Sequence, residues 1–253
     1  MSAVAGSTQT RDGRHDEEKK ARVSKCIGIV GGMTPESTIT YYQHIIRTYQ
    51  RRFGTHAFPA IVIYSVSFQQ LEDWMEAGEW DRVGDVLADG TRRLAASGAD
   101  FAVIATNTMH LLFDRLERES PIPLISIVDA TARAIVRAGL HTVGLLGTRF
   151  TMEKPFYADG LARHGIRALV PEPAEREEIH RVIMEELSFG DLRDTSRRRH
   201  LEIIANLVKR GAEGAVLGCT EIPLLIKAAD APVPVFDTAV LHAEEALARA
   251  LEG

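Results

Sequence analysis

Cysteine is scarce in this chain: of 253 residues, Cys26 and Cys219 are the only two. Two thiols cannot build a disulfide framework, and their separation is not that of paired metal ligands, so neither a stapled secreted fold nor a metal centre is expected. The compartment implied is a reducing one. No apolar run approaches the roughly 18 to 20 residues that would span a bilayer. A surplus of positive charge is also missing. The net charge is −5, and no basic cluster with interleaved aromatics appears, which argues against nucleic acid and leaves a small molecule as the expected partner. The opening segment, residues 1–24, has no apolar signal core and too many acidic residues for a transit peptide. It reads as a solvated tail, with the cytoplasm as the expected location.

What the chain does contain is apolar material in short, regular instalments. Hydrophobic residues make up 45% of it, enough for one large domain or two small ones. The runs "CIGIVGG", "AIVIYSV", "FAVIATN", "PLISIV", "TVGLLGT", "RALVPE", "GAVLGC" and "VPVFDT" each have the length of a buried parallel strand. Between them lie amphipathic segments of helical period, such as "PESTITYYQHIIRTYQRR" and "REEIHRVIMEELSFG". Alternation of this kind predicts an α/β fold with parallel sheets covered on both faces.

The chain also says the same thing twice. "ADFAVIATNTMHLL" from Ala99 is echoed by "AEGAVLGCTEIPLL" from Ala212, "IGIVGG" from Ile27 by "VGLLGT" from Val143, and "PIPLI" from Pro121 by "PVPVF" from Pro232. Three echoes in preserved order point to two copies of one α/β unit. Ligands of open α/β sheets bind beyond the carboxyl ends of the strands, and both Thr106 and Cys219 fall there. A duplicated unit could therefore supply two walls of one site, with proton-handling groups approaching one carbon from opposite sides.

Taken together, "IGIVGGMTPEST", "ATNTMH", "LLGTRFTMEKPFY", "LGCTEI" and "VFDTAVLHAE" resemble the aspartate/glutamate racemase superfamily, from about Ile27 to Leu251. The resemblance implies racemisation of amino acids without pyridoxal phosphate or any other cofactor. It also implies two pseudo-symmetric flavodoxin-like parallel-sheet domains with the active site between them, and a homodimer. The expected division is 25–127 with 237–253 as the first domain and 128–236 as the second, the C-terminal helix returning to the first. Most aspartate racemases carry a cysteine in both halves. Here Thr106 takes the place of the first, as in the subgroup of L-aspartate/glutamate-specific racemases that use a Thr/Cys pair.

Residue by residue, Cys219 is the expected base, because "CTEIPLLI" looks like a helix start whose amides could stabilise a thiolate. Thr106 is a poor base, since an aliphatic hydroxyl titrates far above a thiol, but it can donate or relay a proton to the opposite face. Its plainer reading is a strand-end hydroxyl that binds ligand. Cys26 reads as structural. In "GGMTPES", Met33 is an expected substrate-binding residue, Thr34 the expected N-cap and Pro35 the first helical residue, a start whose amides could hold a carboxylate. Asn107, Thr108 and Thr220 flank the pair and could bind carboxylate or ammonium. Thr148 and Thr151 offer hydroxyls from the second half, although such groups often serve only as caps.

Strict aspartate racemases are thought to clamp the side-chain carboxylate with basic residues, one of them after the second strand. The corresponding stretch "SVSFQQLEDWMEAGEW" has neither Lys nor Arg. Arg149, Lys154 and His180 are the remaining candidates for that clamp, and His110, Asp237 and His242 keep supporting or structural readings. Alternatives to a racemase of aspartate or glutamate are a single-cysteine decarboxylase or cis-trans isomerase of a small dicarboxylate, and a non-catalytic amino-acid-binding homologue. For a reversible racemase the equilibrium constant is unity, so kcat/KM must be equal for the two enantiomers.

Overall fold

A computed structural model describes residues 25–54 and 56–252 of the chain. The segment read as a solvated tail, residues 1–24, lies outside the described residues. A strand forms at each of the eight apolar runs: β1 Ile27–Gly31, β2 Ile61–Ser65, β3 Phe101–Ile104, β4 Leu124–Ile125, β5 Thr142–Gly147, β6 Arg167–Leu169, β7 Gly214–Gly218 and β8 Val235–Asp237. They assemble into two four-stranded sheets, ordered β2-β1-β3-β4 and β6-β5-β7-β8, with every pairing parallel. The central strands β1, β3 and β7 are buried along their whole length, which is why their sequences are apolar without alternation.

The three sequence echoes fall on equivalent strands: β1 with β5, β3 with β7 and β4 with β8. Duplication in the sequence is therefore duplication in topology. The helices of the first half are α1 Pro35–Phe53, α2 Phe68–Glu76, α3 Trp80–Ala96 and α4 Phe113–Glu119. Those of the second are α5 Ile127–Arg137, α6 Arg149–Glu153, α7 Pro155–Ala162, α8 Pro173–Glu185, α9 Asp194–Lys209 and α10 Ile222–Leu225. A last helix, α11 Thr238–Leu251, returns to the first sheet, where Ala243, Ala246 and Leu247 share a core with Ile27, Ile29, Tyr41 and Phe101. Among the described residues no helix is long and apolar enough to cross a membrane.

Central strands of both sheets end in close backbone approaches beside the cleft between them. Gly32 follows β1 with φ +90°, and a Cβ there would collide with the Val66 carbonyl oxygen. Only glycine fits that position. In the second sheet, a Cβ on Gly218 would lie 2.8 Å from the Leu146 oxygen, so the end of β7 is drawn close against β5 just before Cys219.

Candidate active site

Thr106 stands two residues beyond β3, and Cys219 directly follows β7. Both line one cleft between the two sheets, and each is 7% exposed. Of the other residues singled out in the sequence, Met33, Asn107, Thr108, Thr148 and Thr220 line the same cleft. Thr151, Lys154 and His180 do not. Thr151 is buried behind Thr148, their hydroxyls 3.2 Å apart. Lys154 is exposed at the junction of α6 and α7. His180 sits on α8, its Nδ1 accepting a 3.4 Å bond from the Arg149 amide. The Arg149 guanidinium turns to Glu76, meeting both carboxylate oxygens at 3.0 Å. The clamp expected of Arg149, Lys154 and His180 is therefore not assembled in the cleft, because the elements that carry these side chains direct them to other partners or to solvent.

Cys219 has a partner on its own loop. Its Sγ donates to Glu221 Oε2 at 3.0 Å, and the Thr220 hydroxyl donates to the same oxygen at 2.9 Å. Across the cleft, the Thr34 hydroxyl donates to Glu221 Oε1 at 2.6 Å. Glu221 is 3% exposed, so its carboxylate depends on these donors in place of water. Two expectations are corrected here. Thr34 precedes α1 at the N-cap but makes no side-chain cap bond, because its hydroxyl is spent on the opposite wall. Amides of Glu221 and Ile222 do approach the sulfur and pull its pKa down, but burial and the adjacent Glu221 carboxylate outweigh them and raise the thiol well above its ordinary value. Cys219 therefore rests as a protonated thiol, not as a helix-stabilised thiolate.

A second bond crosses the cleft between the Thr108 and Thr148 hydroxyls at 2.9 Å, and Thr148 also caps α6 by accepting from the Thr151 amide. Asn107 donates its amide to Thr238 Oγ1 at 2.9 Å, and Thr238 in turn donates to the Leu217 carbonyl at 3.0 Å. That chain ties the end of β3 to β7 through the first residue of α11. It leaves Asn107 Oδ1 buried with no partner, an acceptor available to a ligand's N–H group.

Behind Thr106, His110 Nδ1–H donates to the Thr106 carbonyl at 2.8 Å, while Nε2 accepts from the Ile127 amide at 3.0 Å. Burial lowers its pKa to about 4, so it is neutral and fixes the backbone that carries Thr106. His242 is held in the same manner: it accepts from Tyr41 at 2.7 Å and donates to the Ile125 carbonyl at 2.8 Å. Asp237 caps α11 by accepting from the Ala239 and Val240 amides. Cys26 lies away from the cleft, at the start of β1, where its amide donates to Asp100.

The open space within the cleft is about 30 Å³, room for a few water molecules only. The state described is thus a closed one, bridged by the Thr34–Glu221 and Thr108–Thr148 bonds. Sequence reasoning missed Glu221, although it stands in "GCTE", and the apolar lining supplied by Phe68, Ile183 and Met184.

Twin parallel sheets, with a strand-end side chain from each lining one cleft, are the architecture of the two-domain racemase fold. The chain belongs to the Asp/Glu/Hydantoin racemase family, whose model matches residues 30–246. It is 41% identical to a Yersinia pestis protein described as a candidate Asp/Glu racemase, with a TM-score of 0.84 over 90% of this chain and 100% of that one. An aspartate racemase homologue from Pyrococcus horikoshii is 39% identical, with a TM-score of 0.79 over the same shares. The broad specificity amino-acid racemase RacX of Bacillus subtilis is 21% identical over 86% of this chain and 95% of its own length.

Proposed function

We propose that the chain racemises an α-amino acid without a cofactor, by moving protons at Cα from two sides, with Cys219 on one face and Thr106 on the other. The observation that carries this reading is the shared cleft: the ends of β3 and β7 meet there, and each contributes one proton-bearing side chain. The Cys219–Glu221 pair holds one proton between sulfur and carboxylate. With that proton on Glu221, the thiolate removes Cα–H from the L-enantiomer and becomes a thiol. Thr106, directly or through a water, protonates the opposite face, and the Glu221 proton returns through the cleft to restore the hydroxyl. Each group ends as it began. Asn107 Oδ1 receives the substrate ammonium, and the hydroxyls of Thr108, Thr148 and Thr220 bind its carboxylate.

The two units in this reading are 25–127 with 237–253 and 128–236, and the enzyme works as a cytoplasmic homodimer. The family resemblance supports both statements. Aspartate and glutamate, the substrates the resemblance implies, belong in the first assay beside neutral amino acids. Incubation with each L-amino acid in D2O is expected to give α-deuteration and D-product. A decarboxylase would instead release CO2 from a malonate, and a binding protein would do neither; either result would replace this reading.

A further inference from the structure

Beside its threonines, the cleft is lined by the apolar side chains of Met33, Phe68, Ile183 and Met184, and by Ser188. Among the described residues the one charged side chain in its lining is the carboxylate of Glu221. The basic residues singled out in the sequence stand outside this lining. Arg149 is paired with Glu76 through both oxygens, His180 accepts from a backbone amide with its pKa lowered by burial and by Arg149, and Lys154 is exposed. A substrate with a second carboxylate would bury a negative charge near Glu221 with no cation to meet it, whereas a neutral side chain meets dispersion partners and a hydroxyl.

Resting on the racemase reading above, we infer that the preferred substrate has an uncharged side chain, packed against Met33, Phe68, Ile183 and Met184, and is neither aspartate nor glutamate. The cleft discriminates in two ways. Desolvating an unpaired carboxylate is unfavourable, and like charge on Glu221 adds to it. Methionine and leucine suit the apolar lining, while the Ser188 hydroxyl is already donated to the Ile183 carbonyl at 2.8 Å.

The test compares kcat/KM for α-proton exchange in D2O with L-methionine, L-leucine, L-aspartate and L-glutamate. At least one neutral substrate is expected to exceed both acidic ones by tenfold or more. Equal or greater values for aspartate or glutamate would overturn the inference while leaving the racemase reading intact, and no exchange with any amino acid would overturn both. Met184→Arg supplies the missing cation and is expected to raise the glutamate-to-methionine ratio at least tenfold. A folded variant with an unchanged ratio would show that this part of the lining does not face the side chain, and the inference would fall.

Discussion

The thiol of Cys219 and the carboxylate of Glu221 share a 3.0 Å hydrogen bond in a site where both side chains are buried. A carboxylate this close favours the thiol over the thiolate, which reverses the usual expectation for a nucleophilic cysteine at a helix start. Cys219 is therefore expected to react slowly with iodoacetamide near neutral pH and faster as pH rises through the alkaline range. Replacing the charge, Glu221→Gln, should speed alkylation at neutral pH by about tenfold, the effect of one pKa unit. Mass spectrometry of Cys219 against time reads this directly. An alkylation rate unchanged by Glu221→Gln would show that the carboxylate does not govern the sulfur.

The other oxygen of Glu221 gives a second prediction. Thr34 reaches it across the cleft at 2.6 Å, and a hydrogen bond to a charged group contributes about 1.5 to 3 kcal/mol. Thr34→Val keeps the shape and removes the donor, so the closed state should lose that stabilisation and kcat/KM should fall about tenfold or more. Thr34→Ser should restore most of it. Small-angle scattering should find the valine variant more open. Equal activity of the valine and serine variants would show that the bond has no part in closure.

Two buried histidines make stability depend on pH. His110 is lowered to about 4 and His242 to about 3, both chiefly by burial, from an ordinary value near 6.5. The unfolded chain thus binds protons that the folded one refuses. Their contribution is complete above about pH 6.5 and declines as pH falls toward the two folded values, with a slope approaching roughly 1.4 kcal/mol per pH unit for each histidine. Urea midpoints between pH 7 and pH 4 should show the decline. His242→Gln, itself less stable at neutral pH, should show a shallower one. An identical slope in that variant would mean that His242 is not the group taking up the proton.

How much of the molecule is legible in its sequence follows from the range of each interaction. The eight strands are local runs of apolar residues, and the repeat compares such runs, so both can be read from the spelling alone. Thr106 and Cys219 follow equivalent strands of the duplicated unit, and both line one cleft. Glu221 and Thr34 meet across 187 residues, and nothing in the spelling of either segment declares the other. In isolation a threonine before a proline reads as a cap, and the glutamate of "GCTE" points to no partner. Lys154 and His180 attract notice for their charge, but the directions taken by α6, α7 and α8 decide where charge goes.

Restoring the second base offers a further check on Thr106. Thr106→Cys places a competent thiol on the opposite face and should speed deprotonation of the D-enantiomer, measured as initial deuterium uptake. Any rise in kcat/KM must appear for both enantiomers, since the equilibrium constant stays at unity. A variant that folds yet shows no faster D-side exchange would place Thr106 out of reach of Cα.

The division of labour between Cys219 and Thr106 is tested most directly by following exchange and inversion separately in Thr106→Ala, by NMR in D2O and chiral chromatography on one L-amino acid turned over by the wild type. A single base returns a proton only to the face it came from. Cys219 in this variant should still wash deuterium into the L-enantiomer while formation of the D-enantiomer drops by about a hundredfold, the low end of what a positioned acid or base contributes, and Cys219→Ser should abolish the exchange as well. Inversion by Thr106→Ala at the wild-type rate would contradict the account, because the second proton would then come from somewhere other than Thr106.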